Sequence, residues 1–376
     1  MRQIAVILNL HKPYDRQVLQ GIADYARERG DWSMYVEDEP EAKVPNPKQW
    51  RGDGIIADID DVTVKQRVSR FKLPMVTIGG ANPKGVPFVA TDNEMIGELG
   101  AGHLLERGVT QFAWCGLPDD ELIPWAIERE RAYCKTLEAE GYVPTVYRGR
   151  HRTARDWEGL QRSLIVWVES LPKPVGIMAC RDARARHVME ACRRLDLHVP
   201  DDVAIIGVDN DPLCDMSTPT LSSIQQGTHE IGWRAAETLD KLMRGRRTKK
   251  LRVVPPTGVV PRQSTNLLTN SDEMVIAAQQ FIRDHANSPI QVADIVEHVG
   301  APRITLDRRF KKALECTVHE ELTRFRVECV QTMLRDTNLS IAAIARRMGF
   351  SSAQYLNAAF KSYCDMTPGE YRSRHC

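Results

Sequence analysis

Residues 203–210 read Val-Ala-Ile-Ile-Gly-Val-Asp-Asn, a short run that is apolar on both faces and ends in two polar side chains. Runs of this length and composition are typical of strands buried on both sides of a parallel sheet. Similar runs occur at 4–8, 54–57, 74–78, 111–115 and 175–179. Because helical patterns such as 94–107 and 183–195 lie between these runs, residues 1–250 are predicted to form an α/β domain with sheets covered on both sides.

Length and charge limit what the chain can be. Its 376 residues exceed the roughly 250–300 residues of the largest single hydrophobic cores and predict two or three domains. The 51 Lys and Arg against 50 Asp and Glu give a net charge of +1, so bulk charge alone cannot hold the protein on nucleic acid or membrane. A composition with 42% hydrophobic and 27% charged residues is ordinary for a soluble globular chain and excludes wholesale disorder.

The sequence also indicates a compartment. The first residues carry no secretory cleavage site, and no stretch reaches the roughly 18–20 apolar residues of a membrane span. The nine cysteines include no C-x-x-C pair, so reduced thiols are expected rather than a disulfide framework or a zinc site. We therefore predict a cytoplasmic protein that holds no metal.

The pattern changes near residue 260. The segment 253–265, Val-Val-Pro-Pro-Thr-Gly-Val-Val-Pro-Arg-Gln-Ser-Thr, cannot be helical because of its prolines. Beyond Asp272 the chain shows helix and turn patterns without a further strand pattern. We predict domains at 1–260 and 274–373, joined by a polar connector at 261–273.

The second predicted domain contains an internal repeat. A helical pattern ends at Gly300 and a second helix comes after it, and the same order recurs around Gly349, which lies 49 residues later. Phe310 and Phe360, at matching places in the second helices, are 50 residues apart. A helix, a glycine turn and a second helix, occurring twice, predict an all-α domain with two helix-turn-helix units at about 291–312 and 340–363.

Charge favours DNA as the partner of this domain. In such a unit the second helix enters the major groove, and residues 303–312 carry five positive side chains against one negative, Asp307. The tail from 271 is nearly neutral, with 14 Lys and Arg against 13 Asp and Glu, so positive charge is concentrated on that helix. A charged run alone is usually a solvated face; the duplicated turn is what favours DNA contact.

The most specific motif of the tail is Ile341-x-x-Ile344-Ala345-x-x-x-Gly349-Phe350-Ser351-Ser352-x-x-Tyr355, continued by Phe360-Lys361 and Thr367-Pro368-x-Glu370-Tyr371-Arg372. On these residues, 274–373 resembles the DNA-binding domain of AraC-type bacterial transcription regulators. The resemblance implies base contacts from Arg303, Ile304, Arg308, Ala353, Gln354 and Asn357. Ser351, Ser352 and Lys361 are expected to contact phosphates, and Lys311 is a further predicted DNA-binding residue. The methyl side chain of Ala353 is too short to reach a base edge, so base contacts from the second unit are less well supported. Glu315 and Asp365 lie where the family often has glycine in a left-handed turn.

Polar side chains come directly after the predicted strands of the first domain. They lie at 9–15, Asp58, 91–92, 181–182 and 209–210, and α/β sheets bind ligands at the carboxyl ends of their strands. Carboxylates, amides and guanidinium groups hold sugar hydroxyls, and Tyr14 and Trp125 are available to stack on a sugar ring. Each Asp could equally be a helix N-cap; together, these strand ends favour a polar cleft.

Further landmarks are Asp53-Gly54-Ile55-Ile56, Thr91-Asp92-Asn93, His103-Leu104, Ile206-Gly207-Val208-Asp209-Asn210 and Leu221-Ser222-Ser223-Ile224-Gln225-Gln226. With them, the first domain resembles the two-lobed, periplasmic-binding-protein-like (type I) sensor of lac-repressor-type regulators. The resemblance implies sugar contacts from Arg129, Arg181, Asp209 and Gln226, although the usual Asn-Asp pair reads Arg181-Asp182 here. The full set of predicted sugar-binding residues is Asn9, Tyr14, Asp15, Asp58, Trp125, Arg129, Arg181, Asp182, Asp209 and Gln226.

A lac-repressor-type sensor normally comes after its DNA-binding domain, whereas here the sensor comes first and the DNA-binding domain is of AraC type. This order of parts resembles a family of bacterial sugar-responsive activators. The resemblance implies D-xylose as the effector, DNA and RNA polymerase as partners, activation of xylose catabolism genes, and a homodimer.

Three other functions compete with this interpretation. A sensor for another sugar remains open, because the residues alone indicate only a small polyol or sugar. A sugar-processing enzyme lacks support, since the chain has no nucleophile motif, metal set or phosphate loop, and the glycines at 97–102 lie in a helical pattern that predicts no nucleotide cofactor. An extracytoplasmic binding protein conflicts with the DNA-binding tail.

His103 and His187 have no second metal-ligating residue at the spacing that a metal site needs. Each is therefore expected to be solvated or to have its hydrogen bonds satisfied within the protein.

Overall fold

The computed structural model describes residues 1–36, 45–46, 50–79, 85–118, 123–149, 157–267, 272–285, 288–337 and 339–375. The chain divides into two compact units, Met1–Leu267 and Leu268–Cys376, which we call the α/β unit and the helical unit. No helix within these described ranges is both long and apolar enough to span a membrane.

The α/β unit alternates strands and helices. Its strands are β1 (Arg2–Ile7), β2 (Trp32–Val36), β3 (Gly54–Asp58), β4 (Met75–Ile78), β5 (Phe88–Thr91), β6 (Phe112–Cys115), β7 (Thr145–Tyr147), β8 (Val175–Ala179), β9 (Val203–Val208), β10 (Ser222–Gln225), β11 (Leu251–Val254) and β12 (Gly258–Val260). Its helices are α1 (Pro13–Arg29), α2 (Val62–Val68), α3 (Asn93–Leu105), α4 (Pro124–Ala139), α5 (Trp157–Ser170), α6 (Asp182–Arg194), α7 (Leu213–Met216) and α8 (Thr228–Met243), and a 3-10 turn covers Gln263–Thr265.

The strands form two six-stranded sheets and therefore two lobes. The first lobe has the order β11-β5-β4-β3-β1-β2 and the second has the order β12-β10-β9-β8-β6-β7. Among the strand pairs of the described residues, only β10 and β12 are antiparallel. The chain passes between the lobes after β5, after β10 and after β11, because α3 packs in the core of the second lobe and α8 in that of the first.

Helices cover both faces of each sheet, as the doubly apolar strands require. In the first lobe, Ile4 and Ile56 pack with Val18 of α1 and Ile231 of α8. Helices α1 and α8 approach so closely that a Cβ added at Gly21 would lie 2.0 Å from the carbonyl oxygen of His229. This position therefore requires glycine.

The helical unit contains α9 (Glu273–Asp284), α10 (Val292–Val299), α11 (Arg303–Leu314), α12 (Val318–Asp336), α13 (Ile341–Arg347), α14 (Ala353–Cys364) and α15 (Pro368–His375). Helices α10 and α11 form the first helix-turn-helix unit, and α13 and α14 form the second. Their turns contain Gly300 and Gly349 at φ 67° and 69°. The long helix α12 contributes to both apolar cores, with Leu322 in the first and Val330 in the second.

The predicted fold class is confirmed: a two-lobed α/β unit precedes an all-α unit with two helix-turn-helix motifs. The helices predicted at 94–107 and 183–195 are α3 and α6. Pro302 is the N-cap of the recognition helix α11. Of the predicted connector, 261–267 belong to the α/β unit, whereas 268–271 lie outside the described residues.

Candidate ligand cleft and nucleic-acid interface

The carboxyl ends of the strands in the two lobes face each other. Trp125 of α4 donates from Nε1 to Asp60 Oδ2, which lies just beyond β3, at 3.3 Å. Gln17 of α1 donates from Nε2 to the carbonyl oxygen of Asp209, which lies just beyond β9, at 3.3 Å. We call the region between these strand ends the interlobe cleft, and it is where a parallel α/β sheet places its ligands.

Arg129 is the centre of a buried polar network on the second-lobe side of the cleft. Its side chain is 4% exposed and donates to Asn93 Oδ1 at 3.0 Å, to the carbonyl oxygen of Cys180 at 2.9 Å and to Gln226 Oε1 at 3.1 Å. Gln226 Nε2 then donates to Asp209 Oδ1 at 2.6 Å. The Trp125 ring lies 4.7 Å from the guanidinium carbon of Arg129, a cation–π geometry that fixes both side chains.

The charges of this network compensate each other. Burial lowers the pKa of Arg129, and the Asp209 carboxylate opposes that shift. Burial raises the pKa of Asp209, and Arg129 and Arg181 oppose it. A buried cation beside a buried carboxylate suits a neutral ligand with many hydroxyl groups better than it suits an ion.

A carboxylate cluster forms the first-lobe side of the cleft. Lys12 Nζ donates to Asp58 Oδ2 and to Asp60 Oδ2, both at 2.8 Å. Asp15, which is fully buried, accepts a hydrogen bond from the backbone nitrogen of Asn9 at 2.5 Å. A cavity of about 230 Å³ adjoins the cluster and is lined by Ile7, Leu8, Asn9, Lys12, Asp58, Asp60, Asp61, Val64 and Ile123.

Lys12 lies among three acidic side chains, and burial shifts the pKa of two of them, Asp15 and Asp58. Burial raises the pKa of Asp15 well above its ordinary value, with a further contribution from Asp58. Burial also raises the pKa of Asp58, although Lys12 opposes the shift. Burial lowers the pKa of Lys12, but Asp58 and Asp60 outweigh burial and raise it, so Lys12 stays charged.

The structure brings most of the predicted sugar-binding residues into the cleft. Thr91 Oγ1 donates to the Tyr14 hydroxyl at 3.5 Å. The Nε of Arg181 is buried and has no hydrogen-bond partner in the part of the chain that the structure describes, so it is free to donate to a ligand. Asp182 differs, because its two carboxylate oxygens accept from Ser223 Oγ at 2.6 Å and from the Asp211 nitrogen at 2.9 Å.

Asp182 therefore holds the loop that carries Asp209. Burial and the neighbouring Asp209 raise the pKa of Asp182 to about 7.

Sequence reasoning missed Lys12, Asp60 and Asn93 as cleft residues. Asp60 has a usable signal, since it extends the polar stretch that begins at Asp58.

Helix α11 presents an exposed, positively charged surface. Arg303, Arg308 and Lys311 are exposed, and Ile304 is 84% exposed. Asp307, the acidic residue of this helix, accepts from the Val318 nitrogen at 3.1 Å and lies 3.5 Å from Arg303. An apolar side chain left in water among arginines is suited to contact a thymine methyl group.

Helix α14 presents a polar surface whose charged side chain is Lys361. Gln354 and Lys361 are exposed and Asn357 is half-buried. Ser351 is exposed, whereas Ser352 caps the helix by accepting from the Tyr355 nitrogen at 3.1 Å. Glu315 and Asp365 end the two recognition helices at φ 58° and 54°, the left-handed conformation that the sequence implied.

Residues 3–94 match the family model described as the XylR N-terminal domain, 101–265 match a periplasmic binding protein-like domain, and 295–374 match a helix-turn-helix domain. The xylose operon regulatory protein of Escherichia coli strain K12 is 36% identical over 378 residues, which cover 98% of this chain and 96% of the relative. This chain belongs to the xylose operon regulatory protein family. The family's Haemophilus influenzae protein is also 36% identical, over 98% of both chains.

A solved structure described as the xylose-binding transcription activator xylR is 36% identical, with a TM-score of 0.83 over 100% of this chain and 98% of that one. Membership of the xylose operon regulatory protein family confirms the predicted DNA-binding regulator. The chain is a transcription regulator, not an enzyme, and joins a sugar-binding domain to an AraC-type helix-turn-helix domain.

Proposed function

We propose that this chain is a cytoplasmic, D-xylose-responsive activator of xylose catabolism genes, which acts as a homodimer and contacts RNA polymerase. One observation carries the proposal: the buried Arg129–Gln226–Asp209 network faces the Lys12–Asp58–Asp60 cluster across the interlobe cleft. Support for xylose in particular is the 36% identity with relatives that are named for the xylose operon.

The cleft offers a pentose both donors and acceptors. Arg129, Arg181 and Gln226 supply N–H groups. Asp15, Asp58 and Asp209 supply carboxylate oxygens, and Asn9 supplies an amide. Tyr14 and Trp125 supply apolar faces for the sugar ring. Protein donors bond to both oxygens of Asp182 and also to both oxygens of Asp58. Asp58 lines the cavity and Asp182 is not among its lining residues, so we assign Asp182 an indirect role.

The recognition helices divide the reading of DNA. Arg303 and Arg308 of α11 would contact guanine, and Ile304 would contact a thymine methyl group. Gln354 and Asn357 of α14 would contact adenine. Lys311, Ser351, Ser352 and Lys361 would contact phosphates and set the position of the protein on the duplex.

Sugar would act by favouring a closed arrangement of the lobes. Contacts that span the cleft, such as Trp125 with Asp60 and Gln17 with Asp209, both at 3.3 Å, stabilise that arrangement. A sugar that bridges Arg129 and Asp58 binds the closed state more tightly, and it shifts the population by that difference in affinity.

The test is calorimetric titration of the full chain with D-xylose, L-arabinose, D-ribose and D-glucose. We expect D-xylose to bind most tightly. Arg131, exposed two residues from Arg129 on α4, provides a matched control: Arg129→Gln should abolish binding and Arg131→Gln should not. Tighter binding of another sugar, with D-xylose silent, would overturn the effector assignment and leave the sugar-sensing regulator in place.

A further inference from the structure

The last segment of the α/β unit, residues 261–267, is bonded to the loop that carries Asp209; we call it the exit segment. Arg262, which lies just beyond β12, has a side chain that is 12% exposed. Its guanidinium donates to both carboxylate oxygens of Asp215 at 2.7 and 3.3 Å, to the Leu221 carbonyl oxygen at 3.0 Å and to Asn210 Oδ1 at 2.8 Å. This network leaves the guanidinium little freedom to move independently of the loop 209–215.

That loop begins with two residues in unusual backbone conformations. Asp209 has φ 115° and Asn210 has φ 50°, which non-glycine residues rarely adopt. Asp209 contacts both sides of the cleft, because its side chain accepts from Gln226 and its carbonyl oxygen accepts from Gln17 of the first lobe. Asn210, which accepts a hydrogen bond from Arg262, directly follows Asp209 in the chain. A movement of Asp209 in the cleft can therefore reach Arg262 through its neighbour.

Helix α3 provides a second connection. Asn93, at its first turn, contacts Arg129 and Glu128. His103, near its end, pairs through Nε2 with Thr265 Oγ1 at 2.8 Å, and Thr265 also pairs with Ser222 Oγ at 2.7 Å. Burial lowers the pKa of His103 to about 3, so this contact persists with a neutral imidazole at physiological pH.

Both connections end in the exit segment. Arg262 and Thr265 lie within it, and it directly precedes the helical unit in the chain. The first connection starts at the loop beside Asp209, and the second starts at helix α3, whose first turn contacts Arg129 in the cleft. A movement of either the loop or the helix can therefore reach the segment. Asn210 and Thr265 therefore provide the contacts through which the cleft can act on the exit segment.

We propose that the Asn210–Arg262 and His103–Thr265 hydrogen bonds transmit the occupancy of the cleft to the exit segment and so couple the effector to DNA binding. The inference rests on the proposed function. It assigns Asn210 and Thr265 as positioning residues that act on the exit segment and do not touch the sugar.

Two matched pairs of variants test it. Asn210→Gly and Asn210→Asp both lose the Nδ2 donor to Gln225 and both tolerate the left-handed backbone; of the two, only the aspartate variant keeps an acceptor for Arg262. Thr265→Val removes the hydroxyl with little change of shape, and Thr265→Ser retains it. Arg234→Ala, which breaks an exposed pair on α8, is the control.

Two affinities are measured for each full-length variant. Fluorescence anisotropy of a labelled duplex, selected by the full chain from a random library, gives DNA affinity with and without saturating D-xylose. Calorimetry gives D-xylose affinity. We expect the wild-type chain to change its DNA affinity by a factor within roughly 5–150.

Asn210→Gly and Thr265→Val should reduce that factor below about 2 while D-xylose affinity stays within about threefold, and Asn210→Asp, Thr265→Ser and Arg234→Ala should preserve it. If Asn210→Gly changes its DNA affinity on adding D-xylose by the same factor as the wild-type chain, the proposed coupling is overturned. A large loss of D-xylose affinity in Asn210→Gly would also overturn it, because it would place Asn210 in the sugar site. The Asn210 pair decides the matter if Thr265→Val does not fold. If D-xylose does not change the DNA affinity of the wild-type chain, the proposed function itself is contradicted.

Discussion

Replacing Arg129 with methionine removes the centre of the second-lobe network. Methionine keeps an unbranched side chain of similar length and supplies no donor. The change deprives Asn93 Oδ1, the Cys180 carbonyl oxygen and Gln226 Oε1 of a hydrogen bond each. It also leaves Asp209 without the buried cation that opposes the rise of its pKa.

The loss of D-xylose binding free energy depends on how many hydrogen bonds the Arg129 guanidinium donates to the sugar. Each hydrogen bond to a charged group is worth about 1.5–3 kcal/mol. If two guanidinium N–H groups serve the sugar, the loss is about 3 kcal/mol at the lower limit, or roughly a 150-fold rise in Kd. Leaving buried acceptors unpaired costs about 1–3 kcal/mol of folding stability, so the Tm of the α/β unit should fall by several degrees.

Tryptophan fluorescence provides the assay on the intact chain. All seven tryptophans lie within residues 1–267, so intrinsic fluorescence reports on the α/β unit and is silent about the helical unit. Trp125 lies against Arg129 and should respond to sugar directly. Arg131→Met, at an exposed position on the same helix, should change neither Kd nor Tm, because surface substitutions stay within about 0.5 kcal/mol.

Binding of D-xylose by Arg129→Met within threefold of the wild-type Kd would refute a direct role of Arg129 in sugar binding. Equal losses in Arg129→Met and Arg131→Met would also refute it, because the effect would then come from the charge of α4 and not from the buried network. A fall in Tm without a change in Kd would limit Arg129 to a structural role.

Three further predictions concern other parts of the chain. A Cβ added at Gly349 would lie 2.9 Å from the Cα of Pro289, whereas one added at Gly300 meets nothing within 4 Å. Gly300→Ala should therefore reduce the free energy of unfolding of its helix-turn-helix unit by about 1–2 kcal/mol, and Gly349→Ala should reduce that of its own unit by about 3 kcal/mol or more. Hydrogen exchange of each helix-turn-helix unit measures both losses. Burial lowers the pKa of His103 from an ordinary 6.5 to about 3, so its contribution to stability is complete above pH 6.5 and is lost as pH falls towards 3. Between pH 7.5 and pH 5 the wild-type chain should lose about 2 kcal/mol more than His103→Gln in urea unfolding monitored by tryptophan fluorescence, and equal losses would contradict this. Arg308→Ala should cost about 1–3 kcal/mol and relax preference at one base pair, whereas Lys311→Ala should weaken binding to all sequences and reduce the salt slope by about 1; identical profiles would contradict the assignment.

The strands that sequence reasoning found are those with both faces buried in apolar surroundings. Every residue of β9 is buried, so its six residues form an unbroken apolar run. Strand β10 escaped notice because Ser222 and Ser223, although fully buried, satisfy their hydroxyls with Thr265 and Asp182. Strand β7, at the edge of its sheet, has three residues, which is too short to show a period.

The helical unit was easier to predict, because its turns impose a backbone that few residues accept. Gly300 and Gly349 both have positive φ, and this requirement is visible in the sequence as a repeat. Pro302, with φ and ψ of −57° and 140°, follows the first of these turns and caps α11.

The cleft was predictable in outline because polar residues come directly after buried strands. Its pairings were not, since they join residues far apart in the chain. Lys12 reaches Asp58 and Asp60 within the first lobe, and Asn93 reaches Arg129 within the second lobe. Such contacts arise from the tertiary packing of each lobe rather than from any local pattern. The same strand-end rule could not separate Asp209, which contacts Gln226, from Asp182, whose oxygens are both occupied by protein donors.

The central claim is that D-xylose in the interlobe cleft changes the affinity of the helix-turn-helix domain for DNA. The most direct test measures D-xylose Kd by calorimetry on the full chain, free and saturated with the selected duplex, and DNA Kd by anisotropy with and without D-xylose. Linkage requires the two ratios to be equal, and we predict a common factor of roughly 5 or more. D-xylose binding that leaves both ratios at 1 would contradict the account.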